Sequence, residues 1–351
     1  MATISQVRGL LLEEALLHLL ARSGYRTVES DSVDPTLAFG PAGLEVRGRG
    51  ERHQIDAIAD FLFPQPFSNP QRLLVEAKCY ADSRPVGLPV LRNALGVLMD
   101  VSEFFVPATG PKSVSRRRYH YQYALFSASN YTEPAERYAF AHDIYLIPLQ
   151  GSAFIRPIVS QIRRVTHHAF GAPTRNQIDL DLSAFRRSFR RAIRSSDYNN
   201  DARRFVRDDS RSLLSDLLDS CRTLDGAVLG MLSGTFPIFL VPTHGVQVSQ
   251  LHGSQDVHIT WDNEGWYLSD QMDGQLFSFD LPPTLFEMYA EEGVLTRAAA
   301  LEMKADYMRE IQAIIVPEEY PRFVTFRLDL GWLERLRGAL RDRPRRRPEG
   351  V

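Results

Sequence analysis

Glu76 and Lys78 lie two positions apart in the apolar segment LLVEAKCY, which covers residues 73–80. Successive side chains of a β-strand alternate between faces, so these two charges share one side of a strand, about 7 Å apart. Asp56 follows Ile55 in an earlier apolar segment and can lie on the same side. Two carboxylates and an ammonium group at this spacing predict a site for a hard divalent cation such as Mg²⁺, which prefers oxygen ligands.

Such a site has the parts that phosphodiester hydrolysis requires. A divalent cation held by Asp56 and Glu76 stabilises charge on a phosphate and lowers the pKa of a water. Lys78 can orient that water and complement negative charge in the transition state. The alternative is a salt bridge between Glu76 and Lys78 on a solvated sheet face, which would contribute little stability.

Length and composition predict a multidomain globular protein. The 351 residues exceed the usual size of one compact core, and 44% hydrophobic with 24% charged residues is typical of globular chains rather than disordered ones. The two cysteines, Cys79 and Cys221, are too few for a disulfide framework or a four-thiolate zinc site. No apolar run reaches the roughly 18 residues that span a bilayer. We therefore expect a cytoplasmic protein with no membrane association.

The N-terminal segment 5–23 predicts a helix, because its apolar residues recur at helical spacing. Glu14, His18 and Arg22 recur every four residues and predict a solvent-facing stripe. Glu13 lies off that stripe and points toward leucines, unless its side chain turns outward to water. This helix can therefore bring a fourth charged group toward the sheet.

The following segments alternate between strand and helix patterns. Three strands are predicted first, then helix, strand, helix and strand: 44–50, 54–63, 73–80, 88–101, 123–130, 133–143 and 144–149. With the first helix, the order is αβββαβαβ. Helices alternating with apolar strands predict an α/β fold whose mixed sheet is flanked by helices on both faces.

At these residues the chain resembles the PD-(D/E)xK nuclease superfamily, specifically the Mrr-like restriction endonucleases, over residues 5–150. LEEALLHLLARSGY is similar to the opening helix FExxxxxLLxxxGY of such enzymes, with Glu13 at the glutamate. Asp56 in GERHQIDAIAD matches the metal-binding aspartate, and Glu76 and Lys78 in VEAKCY match (E/Q)xK. ALFSASNYTEPAERYA and IYLIPL resemble the later strand, turn, helix and final strand.

Two positions depart from the family pattern. Gln54 stands where a glycine is frequent, and Asn93 in VLRNALGV replaces a glutamine near the site. We predict Asn93 and Gln54 as supporting residues of the site, and because Asn93 is shorter than glutamine we expect it to act through a water. Neither departure changes Glu13, Asp56 or the Glu76–Lys78 pair.

The resemblance implies a restriction-endonuclease-like mixed sheet and Mg²⁺-dependent hydrolysis of DNA, with Mn²⁺ as a substitute ion. Its implied catalytic residues are Asp56, Glu76, Lys78 and Glu13, with Asp56 and Glu76 as metal ligands. It also implies restriction or antiviral defence by a homodimer or a multi-protein complex, since double-strand cleavage needs two sites. A catalytically silent DNA-binding or scaffold subunit with a nuclease fold is the alternative, and RNA cleavage is a third option.

Basic residues outside the motif are further candidates for DNA binding. Residues 156–207 hold twelve arginines and four acidic residues, whereas 255–320 hold fourteen acidic residues and three basic ones. SRRRYHYQY at 115–123 mixes arginines with aromatic residues, suited to phosphate contacts and base stacking. The predicted contacts are Arg116, Arg117, Arg118, Arg186, Arg187 and Arg190. A solvated loop at 115–123, and pairing of the arginine-rich helices with 255–320, remain alternatives.

The whole chain is predicted to divide into four segments. A nuclease domain at 1–152 is followed by a basic helical connector at 153–235. A small α+β recognition or partner-binding domain occupies 236–342, with strands at FPIFLVP, VQVSQL, VHITW and GWYLSD and a helix at 283–312. Residues 343–351, RPRRRPEGV, predict a disordered tail.

Overall fold

A computed structural model shows two compact units, unit 1 (Met1–Ala227) and unit 2 (Val228–Val351). The structure describes residues 1–30, 34–40, 43–63, 66–107, 114–149, 152, 154–195, 201–234, 236–262, 265–291, 293–316 and 321–341. The predicted disordered tail at 343–351 lies outside these residues. Within the described ranges, none of the helices combines the length and the apolar character needed to span a bilayer.

Unit 1 combines three sheets with helices. Its strands are β1 (Tyr25–Thr27), β2 (Leu37–Gly40), β3 (Gly43–Arg47), β4 (Arg52–Gln54), β5 (Ala57–Phe61), β6 (Gln71–Lys78), β7 (Val106–Pro107), β8 (Ser115–Arg116), β9 (His120–Ser127) and β10 (Ile144–Pro148). Its helices are α1 (Ile4–Arg22), α2 (Leu88–Ser102), α3 (Glu133–Ala141), α4 (Arg156–Arg164), α5 (Leu182–Arg194) and α6 (Arg211–Arg222). Short 3₁₀ turns occupy His167–Phe170, Asp201–Phe205, Asp208–Ser210 and Thr223–Gly226.

The largest sheet of unit 1 has the order β1-β5-β6-β9-β10. Its central strand, β6, pairs antiparallel with β5 and parallel with β9. Leu74 of β6 packs in one core cluster with Tyr123 and Leu125 of β9 and with Leu91 of α2. Val75, which faces the other side, is also buried, so apolar residues cover both faces of β6. Strands β2, β3 and β4 form a separate sheet, and β7 pairs with β8.

A buried ionic network ties β5 to β6 at one end of the sheet. Arg72 is 1% exposed and lies directly opposite Asp60, and its Nε and Nη2 atoms donate to the two Asp60 oxygens at 2.7 and 3.0 Å. Its guanidinium also donates to Thr36 Oγ1 at 2.9 Å, lies 2.8 Å from Asp34 Oδ2, and stacks 3.6 Å from the Tyr119 ring centroid. Burial alone would lower the pKa of Arg72, but these carboxylates raise it, so the buried charge is matched.

The arginine-rich helices are part of unit 1. Helix α5 packs against α1, and α4 packs against both α1 and α6. Phe185 and Phe189 on the apolar face of α5 are fully buried, whereas Arg187 between them is exposed. Residues 154–195 and 201–227, most of the segment predicted as a connector, therefore belong to unit 1, and Phe185 and Phe189 lie in its core.

Unit 2 is a closed barrel with helices. Its strands are β11 (Val228–Leu232), β12 (Phe236–Pro242), β13 (Gly253–Trp261), β14 (Trp266–Ser269), β15 (Gln275–Phe279), β16 (Glu310–Ile315) and β17 (Arg322–Leu328). They close in the order β11-β12-β15-β14-β13-β17-β16, and β13 and β17 are parallel. A 3₁₀ turn lies at Val248–Gln250, and the helices are α7 (Pro283–Tyr289), α8 (Arg297–Tyr307) and α9 (Leu330–Arg341).

The predicted fold class, a restriction-endonuclease-like mixed sheet with a small α+β domain, is wrong. Unit 2 forms a closed seven-stranded barrel instead of a small antiparallel sheet beside helices. The early strands of unit 1 divide between separate sheets, so the order αβββαβαβ does not describe it. The physical reason is that alternation identifies strands but not their partners. Closure depends on β13 and β17, which are distant in sequence.

Two local predictions in unit 2 also fail. The segment VQVSQL contains a 3₁₀ turn at Val248–Gln250, not a strand. The helix predicted at 283–312 is divided into α7 and α8, and its last residues begin strand β16. Apolar periodicity over a short segment did not separate helix from strand here.

Candidate active site

Asp56 lies beside the C-terminal end of β6. The ladder pairs Ala57 with Val75 and ends there, and continuing its antiparallel register by one residue would set Asp56 across from Glu76 on the same face. Asp56 Oδ2 accepts a hydrogen bond from the backbone N–H of Ala77 at 2.8 Å. Asp56 immediately precedes β5, one residue outside the strand. The structure therefore brings together the two carboxylates that the sequence predicted as neighbours.

Burial raises the pKa of Asp56 above its ordinary value. The hydrogen bond from Ala77 opposes this shift, the negative charge of Glu76 adds to it, and the positive charge of Lys78 opposes it. The effect of Glu76 shows that the two carboxylates repel each other. A cation bound between them would relieve that repulsion.

Glu76 is held from two sides. Its Oε1 atom forms an ion pair with Lys78 Nζ, and its Oε2 atom accepts a hydrogen bond from the hydroxyl of Tyr123. Burial alone would lower the pKa of Lys78, but the hydrogen bond to Glu76 and the charges of Glu76 and Asp56 raise it. Lys78 therefore stays protonated within the cluster.

Tyr123 is a site residue that sequence reasoning missed. It lies in β9, where it pairs with Leu74 of the neighbouring parallel strand and shares the face of Glu76. Burial and then the charge of Glu76 raise the pKa of Tyr123, so the hydroxyl remains a donor. The segment YHYQY carried a signal for this role, because its alternation places Tyr119, Tyr121 and Tyr123 on one face.

Glu13 of α1 belongs to the same electrostatic cluster. Its side chain is 14% exposed, and its Oε2 atom accepts a hydrogen bond from Arg186 Nη2 at 2.6 Å. Burial raises the pKa of Glu13 to about 7; Arg186 opposes this effect, and the negative charge of Asp56 adds to it. Glu13 is therefore within electrostatic reach of Asp56 and exchanges a proton near neutral pH.

Asp56 and Glu76 are the residues that would hold a divalent cation. Within the part of the chain that the structure describes, Asp56 Oδ1 accepts no hydrogen bond. No group of three or more His, Cys, Asp or Glu side chains is arranged to hold a metal among those residues. Mg²⁺ binds through one or two carboxylates and completes its shell with waters and substrate phosphates. The two-carboxylate arrangement therefore fits Mg²⁺, and each Glu76 oxygen, which already accepts one contact, keeps a second lone pair for an ion.

The two supporting residues predicted from the sequence are not hydrogen bonded to this cluster. Asn93 is exposed on α2, and Gln54 is exposed at the end of β4, where it pairs with Glu45 of β3. Neither forms a hydrogen bond with the site carboxylates in the described part of the structure. The structure therefore does not bring Asn93 or Gln54 together with the charged residues.

The predicted DNA-binding arginines fall into two groups. Arg116 and Arg118 are exposed near β8, and Arg187 is exposed on α5. Arg117 is partly buried, with its guanidinium carbon 6.0 Å from the Phe105 ring centroid. These four side chains are at least partly exposed and can contact an anionic partner.

Arg186 and Arg190 instead face carboxylates inside unit 1. Arg190 donates to both oxygens of Glu14, and its Nη1 atom lies 2.8 Å from Glu29 Oε2. Glu14 and His18 are 2% and 6% exposed, so the predicted solvent-facing stripe of α1 is wrong. Helix α5 covers this face of α1, and its arginines neutralise the glutamates there.

The turn before β4 is organised by a carboxylate of α2. Asp100 accepts hydrogen bonds from the backbone N–H groups of Gly50 at 2.8 Å and Glu51 at 3.2 Å, and His53 Nε2 lies 2.7 Å from its Oδ2 atom. The hydrogen bond with His53 holds the pKa of Asp100 below its ordinary value. Gly48 approaches so closely that an added Cβ atom would lie 1.8 Å from Asp100 Oδ2. Asp100 of α2 therefore fixes the turn at Gly50 and Glu51, which leads through β4 into β5.

Comparisons with known proteins do not assign a family to this chain. No protein-family model matches it, and no curated protein matches it. The crystal structure of AF1548, a protein of unknown function, is similar with 14% sequence identity and a TM-score of 0.35, over 62% of this chain and 98% of the other. A likeness of this extent is too low to assign a fold or an activity.

Proposed function

We propose that unit 1 is a Mg²⁺-dependent endonuclease that hydrolyses phosphodiester bonds of DNA. The observation that carries the proposal is the hydrogen bond from the Ala77 N–H to Asp56, which holds this carboxylate beside the Glu76–Lys78 pair at the end of β6. The motif resemblance to PD-(D/E)xK nucleases supports the same roles for these three residues and for Glu13. A role in restriction or antiviral defence belongs to this proposal.

The residues of this chain divide the work of the reaction between them. When bound, Mg²⁺ supplies positive charge beside a phosphate and lowers the pKa of a water. Asp56 and Glu76 would hold the ion, and the Ala77 N–H and the Tyr123 hydroxyl orient their carboxylates. Lys78, protonated and partly buried, complements the negative charge that develops on the phosphate in the transition state.

Glu13 is suited to proton transfer. A general base works best when its pKa lies near the operating pH, and the pKa of Glu13 is about 7. Arg186 donates a hydrogen bond to the Glu13 carboxylate and so fixes its position, while the carboxylate stays able to accept a proton. We therefore assign Glu13 the acceptance of a proton from the attacking water.

Nicking of supercoiled plasmid DNA by the full chain tests the proposal. We expect cleavage with Mg²⁺ or Mn²⁺ and none with EDTA, and Asp56→Asn, Glu76→Gln and Lys78→Met should each lower the rate on the order of 10²-fold or more. Glu133→Gln is the matched control, because Glu133 is an exposed glutamate of α3. Cleavage that persists in EDTA, or in Asp56→Asn at the wild-type rate, would overturn it. Competition by single-stranded RNA separates DNA from RNA as the substrate.

A DNA-binding or scaffold subunit without turnover is the second candidate. One observation favours it: Lys78 and Tyr123 engage both oxygens of Glu76, as in a purely structural cluster. Calorimetric titration with Mg²⁺ distinguishes the two candidates. The enzyme is expected to bind Mg²⁺ and to lose that binding in Asp56→Asn, whereas the scaffold is expected to bind DNA without binding Mg²⁺ at this site.

The proposed activity has consequences for assembly and location. Cleavage of both DNA strands needs two active sites, so we expect a homodimer or a larger defence complex, which sedimentation of the full chain with and without DNA measures. Cys79 and Cys221 are free thiols, which fits a reducing cytoplasm.

A further inference from the structure

Unit 2 contains a pocket of about 360 Å³ lined by residues of β13, α8 and α9. Volumes of this size are typical of sites for small molecules. Leu301 and Leu336 contribute apolar surface, and Trp261 and Trp332 contribute flat aromatic surface. Most of the lining residues are apolar, and all of them belong to unit 2.

Lys304 lines this pocket without a carboxylate partner. It is 6% exposed, and within the described residues no acidic side chain forms an ion pair with it. Its Nζ atom lies 5.4 Å from the Trp266 ring centroid and 5.3 Å from that of Trp332, so cation–π contacts with these two rings stabilise its charge. Burial lowers the pKa of Lys304 to about 8. A buried lysine is nearly always paired, and Lys304 is an exception among the residues that the structure describes.

The charge of the pocket has one sign. Arg297, exposed on α8, also lines it, and none of the described lining residues is acidic. This is unexpected in a region where 255–320 hold fourteen acidic residues and three basic ones. Two of those three basic residues, Arg297 and Lys304, face the same pocket. The arrangement is complementary to an anion.

The aromatic walls are held in place. The Trp261 and Trp266 rings stack with centroids 5.7 Å apart and an interplanar angle of 12°. The Trp332 ring stacks on His258 at 4.7 Å and 8°, and His258 Nδ1 lies 3.0 Å from Asp273 Oδ1. Trp266 and Trp332 therefore lie beside Lys304, and Trp261 lines the same pocket. Fixed flat surfaces favour a planar ligand.

We propose that this pocket binds a small, flat aromatic molecule that carries one anionic group. The ring of the ligand packs against the tryptophan side chains, and its anionic group pairs with Lys304 and Arg297. Such a ligand supplies the counter-charge that the buried lysine lacks, and it buries apolar surface that the pocket leaves open. Aromatic carboxylates and nucleoside monophosphates share this chemistry.

Quenching of tryptophan fluorescence in the full chain tests this proposal. The probes are benzoate, the neutral benzamide of nearly the same shape, and adenosine 5′-monophosphate. We expect saturable quenching by one or both anions and an affinity for benzamide weaker by about tenfold, because the charge-assisted contact is absent. The stronger of the two anions identifies the source, a carboxylate or a phosphate.

Variants separate this site from general adsorption. Lys304→Met should weaken anion binding by about tenfold and leave benzamide binding unchanged, and Lys304→Arg should retain part of the affinity. Arg297→Gln provides a second variant at an exposed position, with a loss of about threefold expected. Arg335→Gln, an exposed arginine of α9 outside the pocket lining, is the matched control. Near-ultraviolet circular dichroism checks that the tryptophans remain packed.

Three results would overturn the proposal. They are equal affinities for benzoate, adenosine 5′-monophosphate and benzamide; anion binding by folded Lys304→Met at the wild-type affinity; and no saturable quenching by any probe. Any of these would mean that the lysine does not recognise an anion. The outcome is independent of nuclease activity, because the readout comes from tryptophans of unit 2.

Discussion

Arg190 donates hydrogen bonds from Nε and Nη2 to the two carboxylate oxygens of Glu14, at 2.6 and 2.8 Å. The Glu14 side chain is 0% exposed, so this pair joins α5 to α1 inside unit 1. Arg190→Met removes a buried charge partner, and we expect the free energy of unfolding to fall by about 3 kcal/mol. Hydrogen exchange of the amides of α1 and α5 measures the change.

The neighbouring residue offers a control for this prediction. Arg187→Met alters an exposed side chain of the same helix, and we expect no measurable effect on exchange. Combining Arg190→Met with Glu14→Leu should recover most of the lost stability, since neither charge is then buried. Equal destabilisation by Arg187→Met and Arg190→Met would contradict the assigned role of the pair.

Tyr123→Phe removes the hydroxyl that orients Glu76 while keeping the ring. Outer-shell partners of metal ligands typically contribute 10- to 100-fold, so we expect Mg²⁺ affinity or cleavage rate to fall by about tenfold. Mg²⁺ titration and plasmid nicking provide the measurements. Tyr145→Phe in β10 is the control, because Tyr145 has no contact with the site carboxylates among the described residues. Unchanged Mg²⁺ dependence in Tyr123→Phe would exclude a positioning role.

Gly48→Ala tests the fixation of the turn before β4. The added Cβ atom would lie 1.8 Å from Asp100 Oδ2 and 2.9 Å from the Glu51 carbonyl oxygen, so the side chain of Asp100 must move. Loss of its hydrogen bonds to the turn should lower the thermal stability, with a cost of about 1 to 3 kcal/mol. In an Asp100→Ala background the same substitution should cost less, because the closest clash is removed. Additive effects would argue against this contact.

Lys304→Met tests the cost of the buried charge in unit 2. The pKa of Lys304 is about 8 in the folded chain and 10.5 for an ordinary lysine, so between these values the unfolded chain binds more protons. Wild-type stability therefore rises with pH across this interval, while below it the full penalty applies. We expect the variant to be more stable at neutral pH, by about 3 kcal/mol, and the difference to shrink toward about pH 10.

Urea unfolding followed by tryptophan fluorescence at several pH values measures this difference. Arg335→Gln, with no buried charge removed, should show a constant offset from wild type across the same range. A pH-independent gap between wild type and Lys304→Met would mean that Lys304 remains solvated.

Local patterns in the sequence predicted some elements of unit 1, among them α1, α2, α3 and β10, but not β1, β2, β4, β7 or β8. Helix α1 spans Ile4–Arg22 where 5–23 was predicted, because apolar spacing and the Thr3 cap define it locally. The shared face of Glu76 and Lys78 follows from strand alternation alone. Both features depend only on near neighbours in the chain.

Other features that depend on distant partners were not predicted. Tyr123 and Glu76 are 47 residues apart and meet only because β9 pairs in parallel with β6. Glu14 is separated from Arg190 by 176 residues, so helical spacing assigned its face to solvent. The barrel of unit 2 was missed for the same reason, since each strand is locally ordinary and closure is a property of the whole set.

The pairing of Asp60 with Arg72 also governs the alignment of the candidate site. A shift of β5 by one residue along β6 would turn Asp56 to the opposite side of the sheet, away from Glu76. The same shift would separate a bidentate, buried pair that sits four residues away on each strand. The Arg72 end of β6 therefore fixes the register between β5 and β6, and the candidate site at the Glu76 end depends on that register.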